Sequence, residues 1–304
     1  MTDFYISCRT DRYGSRSIPW LCAIYTANLY NKQLYHDCSK DCDRMYKNSI
    51  MHNYLITNSS TCCDKNKVNR KNDWLWVPQW VPNWVYKNKM DDSKKTQAKY
   101  SWGTRQIIEE IYKKNNNPFP EQFFNSTCYN DLRKLFEEKY KTLFESTYKT
   151  EVNKIKNSII IHVRLDDMER GKKGNPNGQC FIGCNYLIKL MKNIFQKFGL
   201  PIYLMTNNNK TDKDFLIKNV LCKINTEINI DNSCVNNHVL GNDDEEFDVY
   251  IMYQCKHLFT SSSSFGFVSA LLHNNICYST KSWCHFNELM GDKITEKYKL
   301  YLDF

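Results

Sequence analysis

The chain is 304 residues long, 41% hydrophobic and 25% charged, a composition that excludes a disordered protein and has room for two ordinary domains. Its formal charge of +9 favours anionic partners, yet Lys and Arg fall in short runs such as Lys94-Lys95 and Lys113-Lys114. No basic block interleaves with aromatics as a nucleic-acid surface requires, so a nucleic-acid partner is not expected.

The 14 cysteines would mean a disulfide framework in a short secreted protein, but this chain is not short. Its opening, MTDFYISCRTDRYG, has no apolar core for a signal peptide, and no apolar run approaches about 18 residues. The expectation is a soluble, cytoplasmic protein without a membrane span, in which the sequons at Asn58, Asn125 and Asn209 are chance. The cysteine pairs Cys38/Cys42, Cys62/Cys63 and Cys180/Cys184 form no C-x-x-C array, so no metal site is expected.

In chain order, Phe4 to Cys8 reads as a strand, Arg9 to Ser17 as a polar loop holding Gly14, Ile18 to Asn31 as a helix and Leu34 to Asp37 as a strand. Residues 38–73 are polar and carry little pattern. In WLWVPQWVPNW, Pro78 and Pro82 exclude a regular helix. Helices are expected near Thr104 to Lys114 and Tyr129 to Thr147, with a break at Pro118 and Pro120.

From there strands and helices alternate. Strands are expected at Ser158 to Val163, Pro201 to Thr206, Ile224 to Ile230, Leu258 to Ser261 and Ile276 to Ser279. Helices are expected at Tyr186 to Phe198, Lys213 to Leu221, Glu245 to Cys255 and Phe265 to His273. Such alternation predicts an α/β fold with a parallel sheet covered on both faces, which binds ligands beyond the carboxyl ends of its strands. The domain boundary is expected near Thr150 to Asn157, giving domains of 1–155 and 156–304.

Two strand ends then stand out. Ile159 to Val163 delivers His162 and Arg164 on one side of a strand, with Asp166 and Asp167 just beyond. A guanidinium matches phosphate oxygens two at a time, although Arg164 could instead pair with one of those carboxylates. Leu258 to Thr260 runs into Ser261 to Ser264 and at once into a helix, whose free N–H groups attract anions. There Ser264 could simply be the helix cap. Together the two ends describe a diphosphate site. Asp248, sixteen residues before Ser264, could accept hydrogen bonds from a base with adjacent donors, as guanine has.

These segments resemble the fucosyltransferase superfamily, and most closely its α-1,2-fucosyltransferase family. His162-Val-Arg164-x-x-Asp167 matches the family's H-x-R-R-x-D motif, with Leu165 in place of the second Arg. Gly178 to Phe181 resembles the link that follows it. Asp248 to His257, continuing through Ser263, Ser264 and Phe265 to Ala270, resembles D-x-x-L-M-x-x-C-K-H…S-S-F-S-W-W-x-A, with Phe267-Val268 where the family has W-W. Gly14-Ser-Arg16 sits where the family has a Gly-rich loop.

The resemblance implies a GT-B-like arrangement of two Rossmann-type domains with parallel sheets facing a cleft. Residues 1–155 would be the acceptor-side domain and 156–304 the GDP-sugar-binding domain. It implies inverting, metal-independent transfer of L-fucose from GDP-fucose to a glycan hydroxyl, without a cofactor. By matched position Arg164 would hold the β-phosphate, His162 and Asp248 would read guanine, and Ser263, Ser264 and Phe265 would line the phosphate site with Gly14 and Arg16 nearby. Asp167 is the candidate base, with Asp166 and Glu169 behind it. Trp76, Trp80 and Trp84 would form an acceptor platform, or else pack the first domain. Another GDP-sugar, or a catalytically silent glycan-binding protein on the same fold, are the alternatives.

Overall fold

The structure, a computed structural model, describes residues 4–6, 13–29, 31, 33–37, 49–62, 126–165, 183–261, 263–279 and 298–300. The expected helix near Thr104 to Lys114 and the Trp-Pro segment lie outside them. The chain divides into two compact units, Met1–Leu135 and Phe136–Phe304.

In the first unit, β1 (Phe4–Ile6), β2 (Leu34–Asp37) and β3 (Ser60–Cys62) form a parallel sheet in that order. Between β1 and β2 runs α1 (Tyr13–Leu29), and before β3 runs α2 (Ile50–Thr57), N-capped by Ser49. Helix α1 starts earlier than its sequence suggests, so Gly14 and Arg16 stand in its first turn and not in a loop. The cause is the buried stripe of Tyr13, Ser17, Trp20, Leu21 and Ile24, which has helical period from Tyr13 onward. Ser17 Oγ also donates to the Tyr13 carbonyl at 2.8 Å. Residues 38–73 hid α2 and β3, both too short to leave a period in a polar sequence.

Helix α3 (Thr127–Tyr148) crosses the division, and the second unit continues through α4 (Val152–Lys156). It then runs through β4 (Ile159–His162), α5 (Cys184–Phe198), β5 (Ile202–Met205), α6 (Lys210–Leu216) and α7 (Cys222–Ile224), joined to α6 by a π-helical turn. It finishes with β6 (Val239–Leu240), α8 (Glu245–Gln254), β7 (His257–Phe259), α9 (Ser264–Leu272), β8 (Cys277–Ser279) and β9 (Tyr298–Leu300). All six strands are parallel, in the order β6-β5-β4-β7-β8-β9. Numbered within the unit this is 3-2-1-4-5-6, the doubly wound order of Rossmann sheets.

The expected strand at Ile224 to Ile230 is not one. Its alternating sequence looks extended, but Ile224 and Ile228 are four apart and both buried, a helical spacing, and Asn229 turns the chain with φ 57°. The third strand is instead the two-residue β6.

β4 is buried along its whole length. Ile159, Ile161, Val163 and Leu165 join Leu187, Leu190 and Ile194 of α5 in one core. Leu165, which replaces the motif's second Arg, is therefore a core residue, 4% exposed. On α3, Phe136, Tyr140 and Phe144 repeat every fourth residue and are buried against α8. Phe136 meets Tyr253 edge-on at 6.0 Å, and Tyr140 stacks on Phe247 at 5.5 Å.

Glu137 closes that seam, accepting from Tyr250 OH at 2.8 Å, Gln254 Nε2 at 2.8 Å and Tyr253 OH at 3.4 Å. Glu137→Ala removes the acceptor that these three donors share, so chemical denaturation should show a loss of about 3 kcal/mol. Among the described residues no helix is long and apolar enough to cross a membrane.

Candidate functional site

In a doubly wound sheet the crevice for a ligand opens where the chain reverses its direction of winding, between the first and fourth strands. Here those strands are β4 and β7, which pair directly. Their carboxyl ends carry His162 and the Thr260 to Ser264 segment, the two strand ends singled out in the sequence.

His162 is 6% exposed, and its Nδ1 lies 2.6 Å from Ser261 Oγ. Behind the ring comes α9. A Cβ built on Gly266 would stand 2.9 Å from His162 Nδ1 and 3.3 Å from Thr260 Cβ, so only glycine lets the helix approach this closely. Phe265 lies beside the imidazole, ring centroids 5.5 Å apart. Arg164, two residues beyond β4 and half-buried, follows His162 on the side opposite Val163 and Leu165.

Helix α9 begins at the same place. Its N-cap is Ser263, not Ser264: Ser263 Oγ accepts from Phe265 N–H at 3.3 Å, and Ser263 N–H donates to the Ser261 carbonyl at 2.7 Å. Ser264 is the first helical residue, and its side chain lies outside the described residues. The N-terminal end of a nine-residue helix thus faces the β4–β7 junction with its partial positive charge.

Asp248 stands elsewhere on the carboxyl edge. It is 4% exposed, and both its oxygens are engaged by Asn242 just past β6: Oδ1 accepts from Asn242 Nδ2 at 2.7 Å and Oδ2 from Asn242 N–H at 3.1 Å. Burial raises its pKa to about 7, opposed by those two bonds and by the charge of Lys213, and reinforced by Asp244. Lys213 Nζ is held by the Gly241 carbonyl at 2.7 Å and Asn208 Oδ1 at 2.7 Å. Since β6 and β4 are two strands apart, their carboxyl ends, which carry Asn242 and His162, are roughly 10 Å apart along the edge.

Between them, at the end of β5, Thr206 Oγ1 is buried and has no hydrogen-bond partner among the described residues. Gly241 (φ 149°) packs on that turn so tightly that a Cβ there would lie 2.2 Å from the Thr206 carbonyl oxygen. An unpaired buried hydroxyl costs about 1–3 kcal/mol. Thr206→Val is therefore expected to keep or slightly raise the ligand-free melting temperature, which differential scanning calorimetry reads.

The structure thus gathers His162, Ser263, Phe265 and the start of α9 at the switch point, follows β4 with Arg164, and sets Asp248 apart with Asn242. Gly14 and Arg16 belong to the first unit. Asp166, Asp167, Glu169, Trp76, Trp80 and Trp84 lie outside the described residues. Ser261, Gly266, Asn242 and Thr206 were not singled out from sequence. Ser261 was one of four serines in a row, and Gly266, directly after the Ser-Phe of the motif, was the one available signal of close helix approach. Among the described residues no group of three or more His, Cys, Asp or Glu side chains gathers as a metal site would.

No family model matches the chain, and no curated protein matches it. Among solved structures the chain, over 90% of its length, is similar to NodZ α-1,6-fucosyltransferase co-crystallized with GDP, at 14% identity over 93% of that chain and a TM-score of 0.42. It is likewise similar to fucosyltransferase NodZ from Bradyrhizobium, at 14% identity over 94% of that chain and a TM-score of 0.40. POFUT1 in complex with GDP is similar at 11% identity over 95% of that chain, with a TM-score of 0.42.

Proposed function

We propose that this protein is an inverting glycosyltransferase that moves L-fucose from GDP-fucose to a hydroxyl of a glycan acceptor, without a metal, forming an α-1,2 linkage. The observation that carries the reading is the meeting of His162, the Arg164 strand end and the N-terminus of α9 at the switch point of a doubly wound sheet. That junction suits a diphosphate. Guanine would reach the Asp248 cluster, about two strand spacings along the edge, so that His162, expected to read the base together with Asp248, would stand nearer the phosphates. The linkage and the identity of the sugar rest on the motif resemblance alone.

In the reaction the sugar C1–O bond to the β-phosphate breaks, and GDP leaves with the electron pair. The acceptor oxygen bonds C1 from the opposite face and loses its proton. Arg164 and the free N–H groups of α9 would stabilise the charge that grows on the departing diphosphate. Asp167 is proposed as the base that takes the proton, with Trp76, Trp80 and Trp84 as the acceptor platform and Gly14 and Arg16 as further donor contacts. Residues 1–155 would serve the acceptor and 156–304 the donor, in a soluble cytoplasmic enzyme.

Leu165 favours a second reading. Where the motif carries a second cation this chain has a leucine, buried on the side of the chain away from Arg164, so this position offers the donor no second charge and another GDP-sugar could be the donor. Incubation of the protein with GDP-fucose or GDP-mannose and a panel of glycans in EDTA separates the two. Acceptor-dependent release of GDP from GDP-fucose, with an α-linked product by NMR, is the expected result. Transfer from GDP-mannose alone would move the donor, and release from neither would reject the transferase reading.

A further inference from the structure

The contact between His162 and Ser261 determines more than a distance. The imidazole is held on two sides: Ser261 Oγ lies 2.6 Å from Nδ1, and Gly266 brings α9 so close that the ring cannot swing toward the helix. The Ser261 segment is itself fastened, because the Ser261 carbonyl accepts from Ser263 N–H at 2.7 Å.

A serine hydroxyl can donate or accept, and a neutral imidazole carries its hydrogen on one nitrogen only. Among the described residues Ser261 Oγ has no second acceptor for its own hydrogen. Donation to Nδ1 satisfies both groups and leaves the imidazole hydrogen on Nε2. Acceptance from Nδ1–H would instead leave the hydroxyl hydrogen of this half-buried serine to solvent alone. We propose that Ser261 is a positioning residue that holds His162 as its Nε2–H tautomer and ties the start of α9 to the end of β4.

Its effect on nucleotide binding rests on the donor-site reading above, whereas the tautomer does not. Both are testable on the full chain. Long-range proton–nitrogen NMR of the ligand-free protein, recorded over a pH series up to the plateau of the neutral imidazole, should show His162 protonated on Nε2. Ser261→Ala should release it into a mixture with a rising Nδ1–H share, and Ser261→Thr, which keeps the hydroxyl, should restore the wild-type pattern. In parallel, calorimetric affinity for GDP should fall about tenfold in Ser261→Ala and return in Ser261→Thr.

An unchanged tautomer in Ser261→Ala would overturn the proposal, as would a loss that threonine fails to restore. If the tautomer follows the hydroxyl but the wild-type protein binds no GDP, the positioning role stands and the donor-site reading falls.

Discussion

Arg164→Ala is expected to weaken GDP binding about a hundredfold or more, and binding of GMP by far less. A guanidinium can hold a phosphate by two parallel charge-assisted bonds, each worth about 1.5–3 kcal/mol, and each 1.4 kcal/mol is tenfold in affinity. In the proposed reading Arg164 would meet the β-phosphate, which GMP lacks. Arg164→Lys keeps the charge but loses the planar fork, so an intermediate loss of about tenfold should follow. Calorimetry with both nucleotides in EDTA reads these differences. Equal losses for GDP and GMP would point to damage of the fold, and no loss would remove Arg164 from the site.

The second large effect is a dependence on pH that runs in opposite directions for stability and for binding. Burial raises Asp248 from 3.8 to about 7. The folded protein therefore keeps a proton that the unfolded chain has already lost. The stability Asp248 contributes is present in full below pH 3.8 and is lost as pH rises through about 7, up to about 4 kcal/mol in all. Urea unfolding across that range should show this slope, and Asp248→Asn should flatten it.

Guanine recognition asks the reverse. A carboxylate that accepts from the base must be ionised, so GDP affinity should fall on acidification below about 7, and this dependence should vanish in Asp248→Asn. A binding curve that is flat with pH would leave Asp248 as the residue that shapes the β6–α8 turn through Asn242 and nothing more.

Much of the second unit could be read from its sequence, because each element there carries its own period. The run Ile159 to Ile161 is apolar without interruption, as a strand buried on both faces must be, and α5 repeats Leu187, Leu190, Met191 and Ile194 at helical spacing. The position of His162 was legible for the same reason, since it closes such a strand, whereas the cap of α9 was read one residue late, at Ser264 in place of Ser263.

What escaped was either too short for a period or ambiguous. β6 has two residues, and its place was given to Ile224 to Ile230, where alternation on paper coincides with an i, i+4 pair in space. The start of α1 was masked by Pro19, which sequence reasoning puts near a helix start and which the structure tolerates further in. Ser261, Gly266 and Asn242 act through contacts with residues of other elements, and no local pattern announces those.

The most direct test of the account is a calorimetric titration of the wild-type protein, in EDTA, with GDP-fucose, GDP and UDP. If the carboxyl edge of this sheet is a guanine-diphosphate site, both GDP compounds bind and UDP is at least tenfold weaker, because only guanine presents adjacent donors to Asp248. Binding of UDP as tight as that of GDP, or no binding of any of the three, would contradict it.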